Sequence, residues 1–269
     1  MAAMKTSIVA AFLTVMLSAG GAPNASTQLA VPGDSGVAMG HLHLTVKDLE
    51  AQRKFWGALG GTPVQNGALA LIQFPGTFVM LRQAEPTGGT VGSTINHVGF
   101  LVKDIAPWIA KWQAAGLKME PQARPTQVYL IGPDEVRVEI LEDKTIDVPL
   151  KMHHVHFYVA APLETQAWYA KTFGAVPGKR GQFDAADLPG VNLTFAKADT
   201  PTVATKGRSL DHIGFEVKNL EAFCKKLEAD GIKLDRPFTR LPNSTTAIAF
   251  LTDPWGTYVE LTENLPPAK

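Results

Sequence analysis

Four short segments of the chain share one pattern of polar and apolar positions: a histidine opens each segment, apolar residues recur at every second position, and a valine stands sixth. Alternation with a period of two predicts a strand that packs one face on a core. A stretch with helical character follows each segment, and short β-prone runs follow each of these. The pattern therefore predicts a βαβββ module that occurs four times. The opening segments are HLHLTV (41–46), HVGFLV (97–102), HVHFYV (154–159) and HIGFEV (212–217).

The modules also repeat in pairs. NHVGFLVKDIAPWIAKWQAAGLK (96–118) aligns without a gap with DHIGFEVKNLEAFCKKLEADGIK (211–233). HLHLTVKDLEAQRKFWGALGGTP (41–63) aligns with HVHFYVAAPLETQAWYAKTFGAVP (154–177) after one inserted residue. Internal repetition of this kind indicates duplicated structural units.

The duplication predicts two domains, an N-terminal one over 38–147 and a C-terminal one over 150–264. Each would contain two modules, and the fold class is α+β with curved mixed sheets. A chain of 269 residues with 45% hydrophobic residues is long enough for two modest domains with packed cores.

The N-terminus differs from the rest of the chain. Lys5 precedes an apolar run over 8–17, and small residues follow. This is typical of a signal peptide over 1–26, cleaved between Ala19 and Ser26, and the run is too short to span a bilayer. We therefore expect a secreted or periplasmic protein, with a disordered or amphipathic leader as the alternative. No later segment is predicted to cross a membrane.

Charge and cysteine content narrow the classes of partner. Lys plus Arg and Asp plus Glu both total 25, so the formal net charge is zero. Nothing in this balance favours nucleic acid or an anionic membrane surface as a partner. Cys224 is the only cysteine, which excludes an intramolecular disulfide.

The alternation assigns the histidines of HHVHFYV to faces. Val155 and Phe157 share the face that should pack on the helix, and His154 and His156 share the opposite, polar face. By the same alternation His153 lies on the apolar face with Val155, which favours a packing or supporting role for this residue.

The closing strand of the last module behaves in the same way. Val259 and Leu261 should face the helix, whereas Tyr258 and Glu260 should face away from it. A carboxylate and several histidines are thus expected on the polar side of a curved sheet.

These features resemble the vicinal oxygen chelate superfamily, which includes glyoxalases, bleomycin-resistance proteins and extradiol dioxygenases. The resemblance rests on the opening histidines at positions 41, 97, 154 and 212 and on the closing strand DPWGTYVELTE (253–263). It implies two paired βαβββ modules around a metal centre, with a small molecule as substrate. The substrate and the oligomeric state stay open, a homo-oligomer included.

Carried onto the second half, the resemblance implies His154, His212 and Glu260 as metal ligands. Thr194 occupies the fourth equivalent position, which departs from the two-histidine, two-glutamate set of metal-dependent glyoxalases. Two imidazoles and one carboxylate favour Fe(II), and Zn, Mn or Ni also suit these donors. Such an ion would polarise substrate oxygens.

The first half offers a duplicate set, His41, His97 and Glu139, with Met80 at the fourth position. By analogy with two-domain extradiol dioxygenases, which resemble this layout, we expect a scaffold or a weak site here. A second working metal site is the alternative.

His156 and Tyr258 are the candidate proton handlers, because each shares the polar face with an expected ligand. The simpler interpretation is that His156 lines a cleft and that Tyr258 packs on the strand.

The type of reaction is less constrained. Extradiol dioxygenases resemble one another in a tyrosine before the closing DP motif, and Phe250 stands there in this chain. Dioxygenase-like chemistry is still favoured, followed by glyoxalase-type lyase or isomerase chemistry. A non-catalytic drug-binding protein is the third hypothesis, and the complete ligand set argues against it.

Overall fold

The computed structural model describes residues 29–66 and 69–265, so the expected signal peptide lies outside the described residues. Within these ranges the chain forms sixteen strands and four α-helices. In chain order they are β1 Val37–Val46, α1 Leu49–Leu59, β2 Thr62–Asn66, β3 Leu69–Phe74, β4 Thr77–Gln83, β5 Ile95–Val102, α2 Ile105–Ala114, β6 Lys118–Met119, β7 Gln127–Ile131, β8 Arg137–Glu142, β9 Leu150–Val159, α3 Pro162–Phe173, β10 Val176–Arg180, β11 Phe183–Leu188, β12 Val191–Lys197, β13 Leu210–Val217, α4 Leu220–Ala229, β14 Leu234–Arg240, β15 Ala247–Thr252 and β16 Tyr258–Glu263.

The four predicted βαβββ modules are all present, and local signals explain where their helices begin and end. The side chains of Asp48, Asp104 and Asn219 accept hydrogen bonds from the first backbone N–H groups of α1, α2 and α4. Helix α3 starts at Pro162, whose missing N–H is not needed there, and ends at Phe173, before Gly174 in the left-handed conformation. None of the helices in the described ranges is long and apolar enough to cross a membrane.

The modules pair in an order that differs from their order in the chain. The first sheet runs β14-β15-β16-β13-β1-β4-β3-β2, so it joins the first module to the fourth. The second sheet runs β10-β11-β12-β9-β5-β8-β7-β6 and joins the second module to the third. The sequence halves 38–147 and 150–264 are therefore not the units that share a sheet.

The histidine-bearing strands meet at the centre of each sheet. In the first sheet β1 and β13 are antiparallel, and His43 lies opposite His212. In the second sheet β5 and β9 are antiparallel, and His97 lies opposite His156. The closing strands β16 and β8 pair in parallel with β13 and β5, which sets Glu260 and Glu139 beside these histidines.

Modules that are adjacent in the chain contact one another through side chains between the two sheets. The rings of Phe74 and Phe100, from the first and second modules, lie 4.8 Å apart. The rings of Phe173 and Phe215, from the third and fourth modules, lie 5.0 Å apart. All four are almost fully buried in one continuous core, so hydrophobic packing joins the two sheets into one body.

Candidate metal centres

Each sheet gathers three histidines and one glutamate at its centre. The four potential ligand atoms of each group lie within 4.8 Å of one another. We call the group His41, His43, His212 and Glu260 the first cluster, and the group His97, Glu139, His154 and His156 the second cluster.

In the first cluster one carboxylate oxygen faces two imidazoles. Nε2 of His41 and Nε2 of His212 each lie 2.9 Å from Oε2 of Glu260. The other nitrogen of His212, Nδ1, donates to Oδ1 of Asp211 at 2.6 Å. The ring of His43 lies 4.4 Å from that of His212, measured between centroids.

The second cluster repeats this geometry. Oε2 of Glu139 lies 2.9 Å from Nε2 of His154 and 3.1 Å from Nε2 of His97. Nδ1 of His156 lies 3.1 Å from the same nitrogen of His97. Around an ion bound at the usual distances, neighbouring ligand atoms are roughly 3 Å apart, so both clusters have the spacing of a ligand shell.

The hydrogen bonds of His97 show why a cation fits here. Oδ1 of Asn96 accepts from Nη1 of Arg137 at 2.9 Å and lies 2.9 Å from Nδ1 of His97, so that nitrogen carries the proton. Burial lowers the pKa of His97, which keeps the ring neutral. Nε2 then directs a lone pair at the carboxylate of Glu139, and a cation between the two atoms would satisfy both.

Three further imidazoles agree with this assignment, whereas hydrogen bonds to Asp211 and Glu260 outweigh burial at His212 and raise its pKa. Burial lowers the pKa of His43 and of His154 to about 3 and that of His156 to about 2, so these imidazoles are neutral at pH 7. Burial alone would raise the pKa of Glu139 and Glu260. The neighbouring histidines outweigh that effect and hold both pKa values well below the usual range, so both carboxylates are ionised.

Two glycines make room for one ligand in each cluster. A Cβ built on Gly99 would overlap Cε1 and Nδ1 of His154, and a Cβ on Gly214 would overlap the same atoms of His41. Neither glycine has a positive φ, so the requirement is for space and not for an unusual backbone conformation. This explains why the opening motif reads HxH in two modules and HxG in the two modules that pair with them.

The carboxylates of the two clusters differ in their supporting contacts. Oε1 of Glu139 accepts hydrogen bonds from the hydroxyl of Tyr129, at 3.0 Å, and from the amide of Gln127. Tyr129 lies opposite Glu139 in the strand register, as Phe250 lies opposite Glu260. The tyrosine that is missing at position 250 is thus present at the equivalent place in the second cluster.

The ligand set expected from sequence is divided between the clusters. His154 lies in the second cluster, whereas His212 and Glu260 lie in the first. This corrects the expected grouping, because the third module shares a sheet with the second and not with the fourth. The duplicate set is divided in the same way, since His41 joins the first cluster while His97 and Glu139 join the second.

The two candidate proton handlers also separate. His156 belongs to the second cluster, and the ring of Tyr258 lies 5.6 Å from that of His212 in the first. His153, expected to support or pack, has Nδ1 within 3.0 Å of Nδ1 of His154 and so helps to orient that ring.

Sequence reasoning missed several residues of the clusters. The signal for His43 was available, because HLH at 41–43 matches HVH at 154–156. A signal for Tyr129 was also available, because YLIGPDEVRVE (129–139) aligns without a gap with FLTDPWGTYVE (250–260). The contact of Asp211 with His212 depends on the rotamers of both side chains, which the sequence does not give.

Asp211 provides a first test of this arrangement. Replacing Asp211 with alanine should weaken metal binding at the first cluster about 10- to 100-fold, because Nδ1 of His212 loses the acceptor that selects the tautomer with a free Nε2. Metal titration by calorimetry measures the effect. Replacement of Asp230, an exposed aspartate at the end of α4, is the matched control and should leave the affinity unchanged. An equal loss in both variants would contradict the role of Asp211.

Comparison with known proteins shows which solved structures have a similar fold. Residues 151–261 match the Glyoxalase/Bleomycin resistance protein/Dioxygenase superfamily. Glyoxalase I from Zea mays has 18% sequence identity and a TM-score of 0.70, over 85% of this chain and 92% of that chain. A putative dioxygenase from Bacillus subtilis subsp. subtilis str. 168 has 15% identity and a TM-score of 0.67, over 89% of this chain and 87% of that chain. No curated protein matches the sequence significantly.

Proposed function

We propose that this chain belongs to the Glyoxalase/Bleomycin resistance protein/Dioxygenase superfamily, which the match over residues 151–261 and the strand-opening histidines support, and that it is a metal-dependent enzyme acting on a small oxygen-bearing substrate. We place the reaction centre at the second cluster. This choice is based on a cavity of about 490 Å³ that is lined by both Glu139 and His156. Its volume suits a small molecule.

The proposed roles follow from the contacts. His97, His154 and Glu139 would hold a divalent cation, Fe(II) by preference, with Zn, Mn or Ni as alternatives. Such an ion polarises substrate oxygens and stabilises negative charge that develops on them. His156 lines the cavity, so we propose that it moves a proton to or from the bound substrate. Tyr258 would have no part in that step, since it lies by the first cluster.

Dioxygenase-like chemistry is the favoured reaction. Each cluster contains a single carboxylate, and two histidines with one carboxylate and open positions suit non-haem Fe(II) oxygenases. The neighbouring strand positions carry Met80, opposite His43, and Thr194, opposite His156, so neither supplies a second carboxylate.

A glyoxalase-type lyase or isomerase is the second candidate. It is favoured by His156, whose buried Nε2 has no hydrogen-bond partner among the described residues and could exchange a proton with a substrate carbon. This reaction would consume no oxygen, which separates it from the first candidate.

Metal content and oxygen uptake together test the proposal. We expect protein purified without chelators to contain divalent metal and to lose activity on chelation. Activity should return when Fe(II) is added under anaerobic conditions. Catechols and 2-oxoaldehydes are then screened with an oxygen electrode. Uptake that matches substrate loss supports the dioxygenase, and turnover without uptake supports the lyase or isomerase.

Protein that contains no metal, binds none and turns over neither class of substrate would overturn the proposal in favour of a non-catalytic binding protein. We also propose that the protein is exported through the signal peptide expected over residues 1–26, to act outside the cytoplasm.

A further inference from the structure

The cavity beside the second cluster carries positive charge that the metal ligands do not neutralise. Arg180 lies at the end of β10, and its Nε donates to Oγ1 of Thr194 at 2.7 Å. Its Nη2 lies 3.5 Å from Nδ1 of His156 and 3.9 Å from Oε2 of Glu139. Arg124, which is exposed, lines the same cavity.

The guanidinium of Arg180 lacks a close carboxylate partner. The only carboxylate within 4 Å among the described residues is that of Glu139, and the oxygen concerned also faces two histidines. The side chain is only 22% exposed. A half-buried cation without a dedicated partner is costly, and a bound anion would compensate it with hydrogen bonds of matching geometry.

Part of the remaining wall of the cavity is apolar and aromatic, and Gln127 and Gln182 add polar groups. Tyr158, Phe183 and Leu141 line it, and the rings of Phe183 and Tyr158 lie 4.9 Å and 5.1 Å from that of His156. Flat apolar walls beside a charged anchor favour a planar ligand with one anionic end.

The strand position that carries Arg180 in the third module carries a different residue in the first module. In the hairpin of the first module Asn66 pairs with Leu69, as Arg180 pairs with Phe183 in the third module. The residue at this register position is therefore neutral in the first module and cationic in the third. The two clusters share a ligand set but differ in the charge that surrounds it.

From this asymmetry we propose that the cavity beside the second cluster binds a small aromatic carboxylate, with its carboxylate on Arg180 and Arg124 and its ring against Tyr158 and Phe183. The inference rests on the proposed function and names the class of its substrate. Because Nη2 of Arg180 lies 3.9 Å from Oε2 of Glu139, a carboxylate that pairs with this guanidinium would lie beside the metal ligands.

The test compares two probes that differ only in the carboxylate, 3,4-dihydroxybenzoate and catechol. Binding to metal-loaded protein is measured by calorimetry under anaerobic conditions. We expect the carboxylate to tighten binding about 10- to 100-fold in the wild type, the effect of hydrogen bonds to a charged group. Arg180→Gln should abolish this preference, and Arg124→Gln should reduce it.

Lys179→Gln is the matched control, because it removes the same charge one residue away, where the lysine pairs with Asp184 at 2.6 Å. It should keep the preference. Equal binding of the two probes by the wild type, or a preference that survives Arg180→Gln, would overturn the inference. Metal content is measured on the same samples. A metal-free protein would count against the proposed function, whereas a metal-loaded protein without the carboxylate preference would count against this inference alone.

Discussion

Replacing Glu139 with glutamine is expected to cause the largest loss of function. The change keeps the shape of the side chain but removes the only negative charge among the ligands of the second cluster. Losing one partner of a buried charged contact costs about 3–5 kcal/mol, which corresponds to roughly 10²- to 4 × 10³-fold weaker metal binding. Turnover should fall to the same extent at limiting metal. Elemental analysis and anaerobic metal titration, alongside the activity assay, measure the two effects.

Two further variants show where the effect originates. Glu263→Gln removes the same charge from the end of β16, away from both clusters, and should change neither metal content nor turnover. Glu260→Gln should lower metal binding at the first cluster and reduce turnover less than Glu139→Gln does. If Glu260→Gln abolished turnover while Glu139→Gln preserved it, the reaction centre would have been placed at the wrong cluster.

Replacing Gly99 with alanine should have the second largest effect, although the change adds a single methyl group. That methyl would overlap the ring of His154, which must move away from Glu139. We expect the second cluster to lose its metal and the protein to lose about 1–3 kcal/mol of unfolding free energy, the usual cost of overpacking. Metal analysis and thermal unfolding of the metal-free protein measure the two losses separately.

A double variant distinguishes steric displacement from general damage. In a His154→Ala background the ring is absent, so Gly99→Ala should no longer destabilise the fold, although metal binding stays lost. Gly178→Ala is the control, because a Cβ there meets nothing within 4 Å. A Gly99→Ala protein that kept full metal affinity would show that the ring of His154 need not stand where the structure places it.

Much of this protein followed from local patterns. The period of two in each opening strand assigned His154 and His156 to one face and Val155 and Phe157 to the other, since successive side chains on a strand must alternate. The matching segments predicted four βαβββ modules, and the structure confirms them. Capping residues such as Asp48 and Asn219 mark helix starts because they satisfy nearby N–H groups.

The partners of His154 could not be obtained in this way. Strands β5 and β13 each contain a histidine and a glycine, and each pairs with a strand that contains a glutamate. Either strand could therefore lie beside β9 with nearly the same local contacts. The sequence therefore predicts the residue types of the ligands, but not which of the repeated modules supplies the ligands that join His154.

Long-range packing makes that choice. Strand β9 pairs with β5, and the aromatic side chains Phe74, Phe100, Phe173 and Phe215 pack between the resulting sheets. This pairing sets Glu139 and Tyr129 close to His154, whereas Glu260 lies beside His41. The alternation of a strand is decided by its own backbone, whereas its neighbour is decided by the free energy of burying surfaces that are distant in the chain.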